Sequence, residues 1–299
     1  MPWVSPSPPA CAPVAPALRT LSPAEPVVAA TRVIVTRPAR EAAHWVEQLG
    51  ARGLAATALP LIAIGPCTDP AAQAALAQAR AQLGGYRAAM FVSGNAVDYF
   101  FEQKEPKEAV ALADKALSAI KIRAWAPGLG TVRALVRAGV PRDRIDSPAP
   151  DAPQFESETL WQQVAPQVRT GDRILIVRGC AAGATPGPGQ GRDWLARQIE
   201  QAGATVDFVV AYTRGAPQLT PEQTALAHTA AGDGSWWLLS SSEALTHLAS
   251  AAPGLPLHAA RALATHPRIA QAARAAGFGH VLECRPALED VVASIESAA

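Results

Sequence analysis

Six short stretches of this chain place serine, threonine, glycine or arginine directly after a strand-like run. They are Thr36-Arg37, Ser93-Gly94-Asn95, Gly128 with Thr131, Arg178-Gly179, Ser240-Ser241-Ser242 and Thr265-His266. Most lead into residues with helical periodicity. The first-turn N–H groups of a helix lack intrahelical partners and favour anions, by about 0.3–1 kcal/mol each at exposed sites. Several such ends turned into one cleft would hold a polyanion. The competing reading of any one stretch is ordinary N-capping, for which Ser, Thr and Asn are preferred whatever the function. The functional reading rests on the loops at that end sharing one character.

Other chemistries find no support in the residues. There is no GxxxxGK[ST] phosphate loop and no GxGxxG after the first strand-like run, which argues against nucleotide and dinucleotide binding. Segment 183–191 is glycine-rich, but its prolines remove N–H donors, so it reads as a flexible loop or lid. Histidines 44, 228, 247, 258, 266 and 280 show no ligand spacing, so no metal is expected. The serines at 240–242 are not a GxSxG elbow and have no evident His/Asp partners. With no obvious nucleophile or general base, an enzyme built from these residues would work by holding and shaping its substrate.

These loops need strands to end and helices to begin. Val33, Ile34 and Val35 read as a buried strand, and Ala42, Trp45, Val46 and Leu49 then recur at helical spacing. Residues 55–64 read as a second strand, and Pro60 within them argues for an edge or a crossing between domains. Further strand–helix units follow at 87–101 and 121–136, then a short strand near Ile145 and a helix at about 156–168. The order then repeats. Residues 173–179 match the first strand, 194–204 the first helix and its exit, and 205–212 the second strand. Residues 236–242 match the Ser-Gly-Asn unit and 260–277 the Gly128 unit, with a strand near Val281 and a helix at about 288–295 to finish. Alternation of this kind implies parallel sheets covered by helices on both faces. Only two copies occur, so two similar α/β lobes facing a cleft are expected rather than a solenoid.

The bulk composition agrees. At ~100–200 residues per domain, 299 residues suggest two domains, and 49% hydrophobic residues can fill their cores. A net charge of +1 gives no bulk attraction to nucleic acid or to an anionic membrane. No apolar run approaches the ~18–20 residues of a membrane span. The basic residues are mostly arginine, which suits bidentate carboxylate binding, although composition alone also produces that bias. Residues 1–31 are rich in Pro and Ala, lack a signal-peptide pattern and read as a disordered tail without chemistry. Cys11, Cys67, Cys180 and Cys284 are scattered, which suggests reduced thiols and a cytoplasmic protein.

In order and spacing, the pieces Val35-Thr36-Arg37-Pro38, Leu59-Pro60-Leu61-Ile62, Phe91-Val92-Ser93-Gly94-Asn95, Gly128 with Thr131, Val177-Arg178-Gly179, Tyr212 and Ser240-Ser241-Ser242-Glu243-Ala244 resemble the uroporphyrinogen-III synthase family. The resemblance implies two α/β lobes with parallel sheets, joined by a pair of linker strands with a cleft between them. It places crossings near 60–62 and 211–213, so that 32–60 with 213–299 form one lobe and 61–212 the other. It implies closure of linear hydroxymethylbilane to uroporphyrinogen III, with inversion of the last pyrrole ring, loss of water and no cofactor. The partners implied are that substrate and the enzyme that makes it, met by a monomer without nucleic acid or membrane.

Residue by residue, the resemblance makes Tyr212 the group that helps the hydroxyl depart; packing in the hinge is its alternative. Ser93, Thr131, Ser240, Ser241 and Ser242 match carboxylate-binding positions, and Thr36, Gly94, Asn95, Gly128 and Gly179 share those loops. Arg37 and Arg178 are cleft cations or surface ion pairs. Where many members carry Gly-Thr, this chain has His266-Pro267-Arg268-Ile269, so Arg268 is a candidate replacement for the missing hydroxyl. A two-lobe binding protein that closes on a small anion without chemistry is the competing class. Such proteins are typically exported, which favours the enzyme.

Overall fold

Strands buried on both faces of a parallel sheet read as continuous apolar runs. Strand β1 (Arg32–Val35) is such a run, with Val33, Ile34 and Val35 fully buried. In the computed structural model, which describes residues 1, 3, 31–101, 122–149, 157–184 and 194–298, β1 lies inside a five-stranded sheet. Its neighbours are β2 (Ala55–Ala58) on one side and β9 (Trp236–Leu239), β10 (Arg261–Ala264) and β11 (His280–Glu283) on the other. All pairings in this sheet are parallel. Val33, Val35, Trp236 and Leu238 face helices α1 (Ala39–Ala51) and α10 (Leu288–Glu296). Ile34, Trp237 and Leu239 face α7 (Pro221–Ala230), α8 (Ser242–Ala251) and α9 (Pro267–Ala275). The alternation has the two-residue period of a strand.

The second sheet has six strands, in the order β3 (Ala63–Pro66), β8 (Thr205–Gly215), β7 (Arg173–Ala181), β4 (Ala88–Phe91), β5 (Arg123–Trp125) and β6 (Ile145–Asp146). Phe91, Leu175, Val177 and Val209 pack towards α2 (Pro70–Ala81), α3 (Gly94–Phe101) and α4 (Leu129–Arg137). Met90, Trp125, Ile174 and Ile176 pack towards α5 (Ser157–Val164) and α6 (Trp194–Gln201) on the other face. The two helix-covered sheets are the α/β architecture expected from the repeat. One pairing departs from it: β3 runs antiparallel to β8.

Residues 59–62 carry the chain from the first sheet to the second. Leu59 and Leu61 are fully buried, and their N–H groups bond to the Val35 and Thr36 carbonyls at 2.9 and 3.2 Å. Pro60, which has no N–H, lies between them without costing a bond. On the return, residues 211–213 lie within β8, which stays paired with β3 until Gly215. The N-terminal tail expected at 1–31 falls, for residues 2 and 4–30, outside the described residues, as does 185–193, which includes most of the expected lid. Among the described residues no helix is long and apolar enough to cross a membrane. Cys67, Cys180 and Cys284 are free thiols.

Candidate active site

Ligands of parallel α/β sheets bind beyond the carboxyl ends of the strands. Here those ends of both sheets open on one cleft of about 1250 Å³. From the five-stranded half come Arg37 after β1, Ser240 after β9, and Thr265, His266 and Arg268 after β10. From the six-stranded half come Ser93, Gly94 and Asn95 after β4, and Gly128 and Thr131 after β5. The structure therefore brings Arg37, Ser93, Gly94, Asn95, Gly128, Thr131, Ser240 and Arg268 together.

The cleft wall is built by helix starts. Gly128 caps α4 without a side chain, so the amides of Leu129 and Gly130 open on the cleft. Ser93 precedes α3, and its Oγ accepts from the Ala96 N–H at 3.2 Å. The start of α9 differs. Pro267 has no N–H, and the Arg268 N–H donates to Nδ1 of the capping His266 at 3.0 Å. That wall offers the Arg268 side chain in place of first-turn amides.

Several expected residues lie off the cleft. Thr36 is buried beneath it, and its hydroxyl donates to the Leu238 carbonyl at 2.7 Å. Ser241 caps α8 by accepting from the Glu243 N–H at 3.2 Å, and Ser242 is the first residue of that helix. Arg178 has the sheet face of Ile174 and Ile176 and lies over the Phe208 ring at 4.3 Å. It is 7% exposed and does not line the cleft.

Tyr212 and Gly179 belong together. Arg178 pairs with Val210 and Gly179 with Tyr212, which leaves Ala211 as an extra residue in β8. This bulge turns the Tyr212 ring to the face of Val209 and Ala211, where a regular strand would point it away. The ring lies flat over Gly179, and stacks on Tyr99 at 6.0 Å. Its hydroxyl meets Ser93 Oγ at 3.1 Å. Tyr212 does not line the cleft; Ser93 does. Burial raises the phenol pKa above its ordinary value, with Glu41 adding to the rise and Ser93 and Arg214 opposing it. The phenol therefore keeps its proton.

The larger surprise is charge. Among the described residues, seven arginines and four carboxylates line the cleft. Arg37 pairs with Glu41 at 3.2 Å and stacks on Trp45 at 4.6 Å. Asp98 holds Arg137 at 2.9 Å and Arg40, from the opposite half, at 3.6 Å. Arg52 pairs with Glu289 at 3.2 Å, and Arg285 with Asp290 at 3.8 Å. The Cys284 thiol, also in the wall, is pushed up to about 12 by burial and Asp290, against Arg37. Apart from Arg37 and Arg268, neither apolar periodicity nor the resemblance selects these charged groups. Glu41, His44 and Gln48 on α1, with Arg52 just past its end, recur at three- to four-residue spacing, and that polar stripe is the available signal.

A family model described as Uroporphyrinogen-III synthase HemD matches residues 43–293. A uroporphyrinogen-III synthase of Synechococcus elongatus is 26% identical over 203 residues, covering 68% of this chain and 67% of its own. The crystal structure of uroporphyrinogen-III synthetase from Helicobacter pylori superposes with a TM-score of 0.54 at 15% identity, over 90% of this chain and all of that one, which shows a shared fold. A mutant uroporphyrinogen III synthase from Thermus thermophilus gives 0.48 at 19% identity, over 90% and 98% of the two chains. With the family model spanning most of its length, the chain belongs to the uroporphyrinogen-III synthase family.

Proposed function

We propose that this chain converts hydroxymethylbilane to uroporphyrinogen III, as a cofactor-independent hydro-lyase of tetrapyrrole biosynthesis. The observation that carries the reading is the arginine-rich cleft at the meeting of two sets of strand ends. The substrate bears acetate and propionate groups, and hydrogen bonds from charged groups contribute about 1.5–3 kcal/mol each. The two sheets act as the two lobes that close on it. A binding protein for a small anion needs no cleft of this size.

The bilane loses its hydroxyl readily and closes unaided to the uninverted isomer, so the task is steering. Positioning the two ends in a near-attack pose supplies that selectivity. Ser93, rather than Tyr212, meets the departing hydroxyl. With Tyr212 as the donor of the pair, the serine O–H is free to donate into the cleft. Tyr212 is then a positioning residue acting through Ser93. The three free thiols among the described residues fit a reducing, cytoplasmic setting.

The test supplies purified protein with freshly generated hydroxymethylbilane and separates the oxidised products. Type III isomer is expected; type I alone, as in an enzyme-free control, would refute the reading. Ser93→Ala and Tyr212→Phe are each expected to lower kcat, and the double variant to be little worse than Ser93→Ala. Additive losses would separate the two groups.

A further inference from the structure

Most cleft arginines already have a carboxylate within the protein. Arg133, on the exposed side of α4, has no ion-pair partner among the described residues, and neither has Arg268. Arg133 sits one turn beyond the open amides at the start of α4. Across the cleft stands Arg37, held from behind by Trp45 and Glu41, with its Nε buried and without a hydrogen-bond partner. Burial lowers the Arg37 pKa, Glu41 opposes this, and the Arg133 charge lowers it further, so the two cations act on each other across the cleft. Two like charges facing each other from opposite walls repel until an anion enters between them. A carboxylate has two oxygens and accepts from two guanidinium groups at once.

We propose that Arg133 is a substrate-binding residue that takes a carboxylate of the polyanionic substrate between itself and Arg37, so that binding draws the two walls together. This rests on the reading of the cleft given above, and it adds a residue that neither helix capping nor the resemblance selects. Arg37 is fixed by its partners, while Arg133 is exposed and able to move, so Arg133 is the arm that closes.

Two measurements separate this from the overall function. Titration calorimetry with uroporphyrin III, an octacarboxylate, on wild-type protein and Arg133→Gln reads binding alone. A rise of about tenfold or more in Kd is expected, with Arg133→Lys intermediate because it keeps the charge without the planar fork. Arg169→Gln, an exposed arginine outside the cleft, is expected to bind as wild type does. A Kd for Arg133→Gln within about twofold of wild type, an equal rise in Arg169→Gln, or no binding by the wild type overturns the proposal. Turnover of hydroxymethylbilane then reads the reaction: Arg133→Gln is expected to raise KM about tenfold with a smaller change in kcat. Absence of type III product from the wild type sinks the assigned reaction, whatever the calorimetry gives for Arg133.

Discussion

Gly179→Ala puts the placement of Tyr212 to a direct test. A Cβ at residue 179 would lie 2.5 Å from Cε2 and Cζ of the Tyr212 ring and 2.9 Å from Cδ2. Carbon atoms prefer about 3.5–4.0 Å, so the overlap is about 1 Å against three ring atoms. Overpacking of this kind costs about 1–3 kcal/mol. The ring cannot yield without moving its hydroxyl, which meets Ser93 Oγ at 3.1 Å. Two effects should therefore appear together. The melting temperature falls by roughly 2–12 °C, at about 2–4 °C per kcal/mol for a domain of this size. The rate of type III formation falls at least as far as in Tyr212→Phe. The control is the double variant with Tyr212→Ala, which removes the ring: there the added methyl should cost well under 1 kcal/mol, a coupling within the range found for touching residues. Full stability and activity in Gly179→Ala would refute the account of both residues.

Three further outcomes are expected. Asp98→Asn frees Arg40 and Arg137 from their shared carboxylate; because both arginines are exposed, stability changes by less than about 1 kcal/mol, while calorimetry shows tighter polycarboxylate binding. Gly279→Ala would drive a Cβ into the His258 carbonyl oxygen, so the β10–β11 edge must shift and thermal melts should show a loss of about 1–3 kcal/mol or more. Burial pushes the Asp233 carboxyl up, but Ser235 and the Arg32 guanidinium outweigh it and hold it below the ordinary aspartate value. A carboxyl lowered on folding stabilises the protein above its unfolded pKa of about 3.9, and this contribution disappears as pH falls through the folded value. Melting curves of wild type and Asp233→Asn should therefore differ near neutral pH and converge in strong acid; a constant gap would refute the linkage.

Much of the fold was legible because β-branched runs and Gly/Pro punctuation are local signals. Val33, Ile34 and Val35, the repeat of that strand near Ile174, and the break at Pro60 all carry their meaning in a few residues. The direction of β3 does not, since Ala63–Pro66 is too short and too plain to show which neighbour it pairs with or how. Arg178 was readable in principle. It lies two and four residues beyond Ile176 and Ile174, so strand periodicity puts it on their face, away from the Tyr212 face. Tyr212 was not readable in this way, because the bulge at Ala211 resets the alternation and is visible only in the pairing. The cleft charges other than Arg37 and Arg268 were not readable for another reason. Apolar periodicity locates the buried side of α1, whereas Glu41, His44 and Gln48 work on its polar side, where spacing alone looks like a solvated face.

The antiparallel pair of β3 and β8 also bears on how the chain folds. Ala63 and Gly215 sit opposite each other, so the six-stranded half enters and leaves at one point although about 150 residues separate them. β1 must find β9 across that same stretch, as in the pairing of Val33 with Trp236. If the intervening half is still a free chain, this is a very long loop to close. Once that half has folded, with Ala63 held against Gly215, the effective loop from β1 to β9 shrinks from about 200 residues to about 50, about two halvings, which removes about 1.2 kcal/mol of closure entropy. The topology thus makes the inserted half a template for the outer one, and orders the folding of two halves that look alike in sequence.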